Sequence, residues 1–495
     1  MRLYKKEGDT LKILCFPGEE VEKGDYLAIE EDGRCLLVQV IDTQFANIPG
    51  MLEELLRDLA IRDVAEGEDV DALDVGSHLA YIQDARLLVC KVRGALKAGR
   101  PTVERWLPSR VHSKIRSLKL SELLDILGLP GELPIELGWG RDGSHISVDA
   151  KDLDGRLNII TGKKGTGKSH LSKLLALGLV DYGATVVILD LNGEYVNLGY
   201  TPEGEKNEYY DRIVVLRPGE NFRVSLAQTS LKIIMGILVH TFGLPGTSAR
   251  EFRRIWSHLK AQNNLSMKAL GEAIRVWKCN ELVRDALYSR YYALVSSGFF
   301  TDDSGEAVDL ADVLKRLDGG GLLIVNLRDL SPSHRRMVVE YVLEKLVELL
   351  SSWDSGAIFL FAEEAHLYMR ETYWDDVITR MRHLGVFTTF ITNQPDSLGE
   401  NVYRQADNIF LFNFTNQRDL EMVSRASSID AETVKLIANE LPPHHCLILG
   451  YVVRDHPVVV KVRALNVQTM GRTRLFFASM PIVREARSSA SRRAS

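Results

Sequence analysis

Residues 162–169 read Gly-Lys-Lys-Gly-Thr-Gly-Lys-Ser, a complete G-x-x-x-x-G-K-S pattern. The apolar run at 157–160 precedes this loop, and residues 171–179 follow it with helical spacing. A loop between a strand and a helix points several backbone N–H groups at one spot, where the helix N-terminus adds partial positive charge. The sequence therefore predicts a polyphosphate site, and the alternative is a glycine-rich turn that binds nothing.

The residues of this loop have separate predicted roles in nucleotide binding. The glycines let the backbone curl closely around the phosphates, Lys168 can reach the β- and γ-phosphates, and the Ser169 hydroxyl can ligate Mg²⁺. The expected cofactors are accordingly ATP and Mg²⁺. The predicted nucleotide-binding residues are Gly162, Lys163, Lys164, Gly165, Thr166, Gly167, Lys168, Ser169 and His170.

Two carboxylates follow an apolar strand-like run at 358–362. An acid at the carboxyl end of a strand neighbouring the phosphate-loop strand can hold Mg²⁺, and the next acid can polarise the attacking water. We predict that Glu363 lies on the metal side and that Glu364 activates the water. The alternative is a pair of solvated glutamates at the start of a helix.

Polar residues also end two other apolar runs. Asp190 closes the run at 186–190, where Asp190 or Glu194 could support the metal or the water, with a helix cap as the alternative. Asn393 or Gln394 follows the run at 388–392 and could donate a hydrogen bond to the γ-phosphate. The sequence does not choose between these two amides, and a polar turn before Pro395 is the alternative.

Arginines can complete such a site by stabilising charge on the transferred phosphoryl group. Arg156 lies 12 residues before Lys168, at the start of the phosphate-loop strand. Arg380 and Arg382 precede the strand at 386–392 and could reach the nucleotide of a neighbouring subunit. Ordinary surface positions are the alternative for Arg380 and Arg382.

Composition limits the class of the protein. A chain of 495 residues with 45% hydrophobic content can bury several cores, and its formal net charge of −6 gives no global basic field for nucleic acid. The five cysteines are scattered, which indicates neither a disulfide framework nor a zinc site. No uncharged stretch of ~18 residues is present, so we expect a cytoplasmic protein without a membrane segment.

Patterning divides the chain into five parts. Short strand-like runs separated by glycine turns predict a small β-barrel over 1–105, interrupted by a charged helical segment near 51–62. Alternating strands and helices predict an α/β core with a mostly parallel sheet. The predicted parts are a barrel at 1–105, a connector with one helix at 106–150, the core at 151–226 and 317–470, a helical insertion at 227–316, and a flexible tail at 471–495.

The order of these motifs resembles the HerA branch of the HerA–FtsK superfamily of DNA-pumping ATPases. The resemblance implies a RecA-like P-loop NTPase core of the ASCE class, with an N-terminal barrel of the HAS type. Two positions differ, since His383 stands where the family often has Lys or Arg, and Asn393 aligns with the usual sensor glutamine. The motifs that carry the resemblance are the loop at 162–169, Asp-Leu-Asn-Gly-Glu-Tyr at 190–195, Glu-Glu-Ala-His at 363–366, and the segments at 382–386 and 392–398.

The resemblance also implies a function. It suggests a homohexameric ring that translocates duplex DNA, with a NurA-type nuclease and Mre11–Rad50 as partners in resecting double-strand breaks. Carried onto this sequence, Glu364 is the catalytic base, Arg382 acts in trans, and Arg156 lies near a cis-acting arginine. Two alternatives stay open: a conjugation or DNA-import motor of the same superfamily, and a nucleotide-gated scaffold that recruits an effector nuclease.

Overall fold

The computed structural model describes residues 1–46, 84–103, 106–352, 356–368, 376–414, 416–426 and 431–470. The helical segment expected near 51–62 and the tail expected at 471–495 lie outside these ranges. Within them, no helix is both long and apolar enough to cross a membrane.

The N-terminal region is an antiparallel sheet that wraps around one apolar core. Its order is β1-β2-β5-β4-β3-β7, with β6 paired to β5. Register shifts at Leu37/Val38 and Val40/Asp42 let β4 bend around that core. In the described residues β1 and β7 do not pair, so the predicted barrel is an open half-barrel. The strands are β1 (Arg2–Glu7), β2 (Thr10–Cys15), β3 (Tyr26–Glu31), β4 (Arg34–Phe45), β5 (Arg86–Lys97), β6 (Arg100–Thr102) and β7 (Lys114–Leu118).

The second region contains an eleven-stranded sheet. Its order is β12-β15-β11-β16-β17-β10-β18-β19-β20-β8-β9, parallel from β12 to β18 and antiparallel beyond. The strands of this region are β8 (Pro134–Trp139), β9 (His145–Asp149), β10 (Asn158–Thr161), β11 (Thr185–Asp190), β12 (Ile213–Leu216), β13 (Val224–Ser225), β14 (Phe300–Thr301), β15 (Gly321–Asn326), β16 (Ile358–Glu363), β17 (Val386–Thr392), β18 (Asn408–Leu411), β19 (His445–Gly450) and β20 (Val458–Val462), of which β13 and β14 form a separate pair.

Helices cover both faces of this sheet, because two apolar clusters pack against its opposite sides. The α-helices are Leu120–Ile126, Lys168–Asp181, Leu231–Gly236, Gly246–Ala261, Met267–Val276, Glu281–Ser296, Leu310–Arg316, Pro332–Ser352, Glu400–Arg404, Gln417–Ala426 and Ala431–Ala438. Shorter turns of helix are Ala150–Asp152, Tyr210–Arg212, Leu226–Gln228, Ile237–Thr241, Ala365–Leu367, Asp376–Met381, Pro395–Leu398 and Tyr451–Val453. The predicted α/β core and the helical insertion are confirmed.

The predicted connector at 106–150 is wrong at both ends. Strand β7 pairs with β3 in the half-barrel, and β8 pairs with β20 in the main sheet, so only residues 119–133 join the two regions. Strand β7 is mostly exposed and lacks an apolar run, and β8 pairs with its sequence neighbour β9 on one side but with β20, more than 300 residues away, on the other. Neither pairing leaves a local signal in the sequence.

The expected neighbour of the phosphate-loop strand is also corrected. Strand β10 pairs with β17 on one side and β18 on the other, whereas the acidic strand β16 pairs with β11 and β17. One strand therefore separates the loop strand from the acidic strand. The carboxyl ends of all of them still meet at one edge of the sheet, because the strands are parallel.

The half-barrel is joined to the core through buried hydrogen bonds. Tyr26 Oη and Gln39 Nε2 donate to the carbonyl of Pro457 at 3.1 and 3.0 Å. The adjacent His456 donates from Nδ1 to the carbonyl of Arg454 at 2.7 Å and is half-buried. The polar groups of this junction are thus held in a desolvated setting.

We expect the junction to lose stability in mild acid. Burial lowers the pKa of His456 below its ordinary value of 6.5. Between that value and the lower folded-state pKa, the unfolded chain binds a proton that the folded protein does not. The contribution of this group is therefore present above pH ~6.5 and is lost as the pH falls below it.

Urea unfolding of the wild type and of His456→Gln from neutral pH down to about pH 5 measures this contribution. The wild type should lose more free energy of unfolding than the variant over that window. Burial also lowers the pKa of His170 and of His334, but both proteins retain these residues, so the difference between the two curves isolates His456. Parallel curves would show that the folded protein protonates His456 as readily as the unfolded chain does, and would contradict the lowered pKa.

Candidate nucleotide site

The phosphate loop turns from β10 into the helix Lys168–Asp181. Gly167 caps that helix with φ 120°, a conformation that side chains rarely adopt. The Lys168 ammonium group is buried and donates to the carbonyls of Gly162 and Lys163 at 2.8 and 3.0 Å. Burial lowers the pKa of Lys168, although Glu364, Glu363 and Glu194 oppose that shift. The lysine therefore lies inside the curl of the loop, as a phosphate-binding lysine requires.

Neighbouring segments hold the loop in place. Lys163 N donates to the carbonyl of Asn413, and His444 N donates to that of Thr166. A side chain at Gly162 would begin 2.5 Å from Cβ of Phe412, so only glycine fits there. The ring of His170 contacts the carbonyl of Arg463 at 2.7 Å, beyond the end of β20. This contact fixes the side chain of His170 against the end of β20, and its place at the nucleotide stays a prediction.

Glu363 and Ser169 meet at the carboxyl edge of the sheet, as a metal site requires. Ser169 Oγ lies 3.4 Å from Glu363 Oε1, and Glu363 Oε2 is buried without a hydrogen-bond partner in the described part of the chain. Burial, with negative charge from Asp190, Glu194 and Glu364, raises the pKa of Glu363 to about 8. A buried carboxylate with an unsatisfied oxygen beside a hydroxyl fits a hard divalent cation such as Mg²⁺.

Asp190 has a different position from the one expected of a metal ligand. Its Oδ1 accepts hydrogen bonds from Gly193 N and Glu194 N at 2.8 and 3.0 Å, and its Oδ2 accepts one from Tyr195 N at 3.0 Å. Both oxygens therefore organise the turn after β11. The contacts favour the structural alternative for Asp190, and they leave Ser169 and Glu363 as the residues that fit the metal.

Glu364 lies beside the end of β17. Its backbone is left-handed, with φ 46°, and its N–H donates to the carbonyl of Ile391 at 2.7 Å. This turn places Glu364 Oε2 at 3.2 Å from Thr392 Oγ1 and at 3.3 Å from Asn393 N. Left-handed backbone is unfavourable for a residue other than glycine, and such strain often accompanies function. The carboxylate is thus aimed at the strand end where a γ-phosphate sensor is expected.

The two candidate sensor amides differ in position. Asn393 is half-buried and directly follows the strand next to Glu364, whereas Gln394 is exposed on the turn that leads to Pro395. The geometry therefore favours Asn393 as the residue that faces the nucleotide. This matches the position that the sequence aligns with the sensor of the resembled family.

Arg156 and Arg382 lie together, but at the opposite end of the strands. Arg382 Nη1 is 3.2 Å from Asp407 Oδ2, and Arg156 Nη1 is 3.8 Å from Asp407 Oδ1. The guanidinium of Arg156 also stacks 3.3 Å from the ring centre of Tyr451. At ~3.3 Å per residue, Arg156 is about 20 Å from the loop of its own chain. This position does not support a cis-acting role for Arg156, which stays a prediction, and both arginines lie at the edge opposite the loop of their own chain.

Three residues of these clusters were missed by the sequence analysis. Asp407 joins the two arginines and also accepts a hydrogen bond from Leu157 N at 2.8 Å. Its signal is the acid directly before β18. Tyr451, the ring on Arg156, directly follows β19, and no local pattern marks it. Lys173 lies one turn beyond Ser169, is buried, and is 3.9 Å from Glu194, and its signal is a lysine on the inner face of the loop helix.

Comparison with known proteins shows what the chain that carries this site is similar to. Residues 135–346 match the family model described as "Helicase HerA, central domain". The chain is 24% identical to the DNA double-strand break repair helicase HerA of Saccharolobus solfataricus over 66% of this chain and 69% of that protein. It is 23% identical to the protein of the same name from Sulfolobus acidocaldarius over 90% of this chain and 89% of that protein.

Solved structures support the fold. The conjugative coupling protein TrwB in its unbound form is similar at a TM-score of 0.53 and 14% identity, over 72% of this chain and 94% of that one. TrwB with ADP and Mg²⁺ is similar at 0.50 and 16%, over the same shares of both chains. The RecA-like core and the ordered motifs agree with these matches: the chain has the fold of a P-loop ATPase and is similar in sequence to the HerA helicases.

Proposed function

We propose that this chain is one subunit of an ATP-driven motor that moves duplex DNA, and that each ATP is hydrolysed between two copies. The observation that carries this proposal is the split of the site across the sheet. The phosphate loop, Glu363 and Glu364 lie at one edge, whereas Arg156 and Arg382 lie at the other. Heterologous contacts that join the two edges form a ring when the rotation from one copy to the next closes.

The residues at the carboxyl edge have separable roles in this proposal. The loop amides and Lys168 bind the β- and γ-phosphates of ATP, and Ser169 with Glu363 would hold Mg²⁺. When bound, the metal neutralises charge on the phosphates. Glu364 orients the attacking water, and Asn393 detects the γ-phosphate through its side-chain amide. Arg156 and Arg382 of the next copy stabilise the charge that develops on the transferred phosphoryl group.

DNA as the cargo rests on the family and on the names of the relatives, which are double-strand break repair helicases. Within this proposal the ring is a homohexamer in the cytoplasm. It works on duplex ends with a NurA-type nuclease and with Mre11–Rad50. Because a motor that tracks along DNA contacts the backbone, its binding is independent of sequence and weakens with salt.

The test is the rate of ATP hydrolysis with and without linear duplex DNA. A motor that couples hydrolysis to DNA should hydrolyse faster when duplex is present, and the stimulation should fade as salt increases. Lys168→Ala supplies the background rate, because it removes the phosphate contact. A slow rate that duplex leaves unchanged, together with stable binding of a nuclease, would instead support the scaffold alternative and overturn the motor.

A further inference from the structure

The helix Gly246–Ala261 of the helical insertion has one exposed face that is entirely free of acids. Six of its residues are buried: Ser248, Ala249, Phe252, Ile255, Trp256 and Leu259. At 100° per residue these six lie within an arc of roughly 120°, and the opposite arc of roughly 160° is exposed. The residues on the exposed arc are Thr247, Arg250, Arg253, Arg254, Ser257, His258, Lys260 and Ala261.

Positive charge on this face is mostly uncompensated. The one acid of the helix, Glu251, is half-buried at the edge of the arc, where it accepts hydrogen bonds from Arg254 Nη1 at 2.9 Å and from Trp277 Nε1 at 3.1 Å. Among the described residues, Arg250, Arg253 and Lys260 form no ion pair. Residues 246–296 carry nine Lys and Arg against four Asp and Glu, a net charge of +5 in a chain of −6.

The basic face is attached firmly to the ATPase core. Phe252, Ile255 and Trp256 belong to the same apolar cluster as Leu189 at the end of β11 and Ala362 at the end of β16. These two strands carry Asp190 and Glu363. A displacement at the carboxyl edge of the sheet can therefore move the helix as a packed body, since close-packed interiors transmit strain.

We propose that this face, defined by Arg250, Arg253, Arg254, His258 and Lys260, binds the phosphate backbone of duplex DNA. The inference rests on the proposed function and names the surface that its cargo contacts. From Arg250 to Lys260 the helix rises about 15 Å at 1.5 Å per residue, a length over which duplex DNA presents several phosphates. Charges of one sign along that length match a regular row of phosphates, and the face offers no base-reading pattern.

The test compares two triple variants that lose the same net charge. Arg250→Gln/Arg253→Gln/Lys260→Gln removes charge from the basic face. The control Lys5→Gln/Arg116→Gln/Lys151→Gln removes three exposed cations that each pair with a glutamate elsewhere. Anisotropy of a labelled linear duplex, measured over a salt series, gives the affinity and the slope of log K against log salt. The DNA-free ATPase rate of both variants should equal that of the wild type.

We expect the face variant to bind duplex at least about tenfold more weakly and to flatten the salt slope by roughly 2 to 3, with the control unchanged. If both variants lost the same affinity for duplex DNA, the effect would come from net charge alone and the proposal would be overturned. A face variant that keeps its DNA affinity but loses binding to poly-glutamate would assign the face to an acidic protein, which also overturns it. If the wild type binds no duplex at all, the proposed motor function fails, and this surface fails with it.

Discussion

Replacing Glu364 with Gln is expected to lower the steady-state rate of ATP hydrolysis by about 10²–10⁴-fold, the usual size of a lost general base. Glutamine keeps the length of the side chain and can still meet Thr392 and Asn393, so the strand end should keep its geometry. What it loses is the negative charge that polarises the attacking water. Nucleotide binding should therefore survive the substitution.

Two measurements distinguish a loss of hydrolysis alone from a disrupted nucleotide site that no longer binds ATP. Binding of a fluorescent ATP analogue should be retained in Glu364→Gln and lost in Lys168→Ala, although both variants hydrolyse ATP at background rates. Asp396→Asn is a matched control, because it neutralises an exposed carboxylate two residues beyond Gln394. If Glu364→Gln kept more than about a tenth of the wild-type rate, Glu364 would not be the base, given the usual size of that contribution.

The parts of the site that could be predicted from the sequence are those whose signals lie within a few residues of a strand end. The loop at 162–169 and the pair Glu363–Glu364 each directly follow an apolar strand, and parallel strands bring such ends to one edge. The position of each residue on its edge was therefore available from local sequence. Which strands pair with each other could not be predicted from local sequence.

Strand order depends on contacts between distant parts of the chain. Asn158 and Thr389, which hydrogen-bond side by side in β10 and β17, are 231 residues apart. The insertion of β17 between the loop strand and the acidic strand therefore leaves no local trace. The same holds for Asp407, since its role comes only from the two arginines that the fold brings to it. The position of Arg156 has a different cause: β10 lies between this arginine and the loop and sets them at opposite edges, although they are close in sequence.

Arg156 and Arg382 lie at the edge of the sheet opposite the phosphate loop. This position leads to a second prediction with a large expected effect on the rate of hydrolysis. Arg382→Ala should lower the rate of hydrolysis by about 10³-fold or more, as for other arginines that act in trans on a phosphoryl group. The arginine is half-exposed and its ion pair with Asp407 leaves part of the guanidinium accessible. Its loss should leave nucleotide binding to the same chain intact, because that chain's own loop is at the opposite edge.

Mixing two inactive proteins distinguishes action between copies from action within one. Lys168→Ala subunits lack a working phosphate loop but carry both arginines, and Arg382→Ala subunits have the reverse defect. When the two are dissociated, mixed in equal amounts and reassembled, about one heterologous interface in four pairs an intact loop with an intact Arg382. Hydrolysis should then reappear in the mixture although each protein alone is inactive.

The matched mixture for this experiment combines Lys168→Ala with a chain that carries both Lys168→Ala and Arg382→Ala. It forms the same assemblies but contains no intact loop, so it should stay at background. Recovery only in the first mixture would require that the arginine of one copy serves the nucleotide of another. A first mixture that stays inactive despite confirmed reassembly would mean that Arg382 and the loop must belong to one chain. The separation of the two edges argues against that outcome, because Arg382 lies beside Arg156 on Asp407, and about 20 Å of extended chain at ~3.3 Å per residue separates Arg156 from the loop.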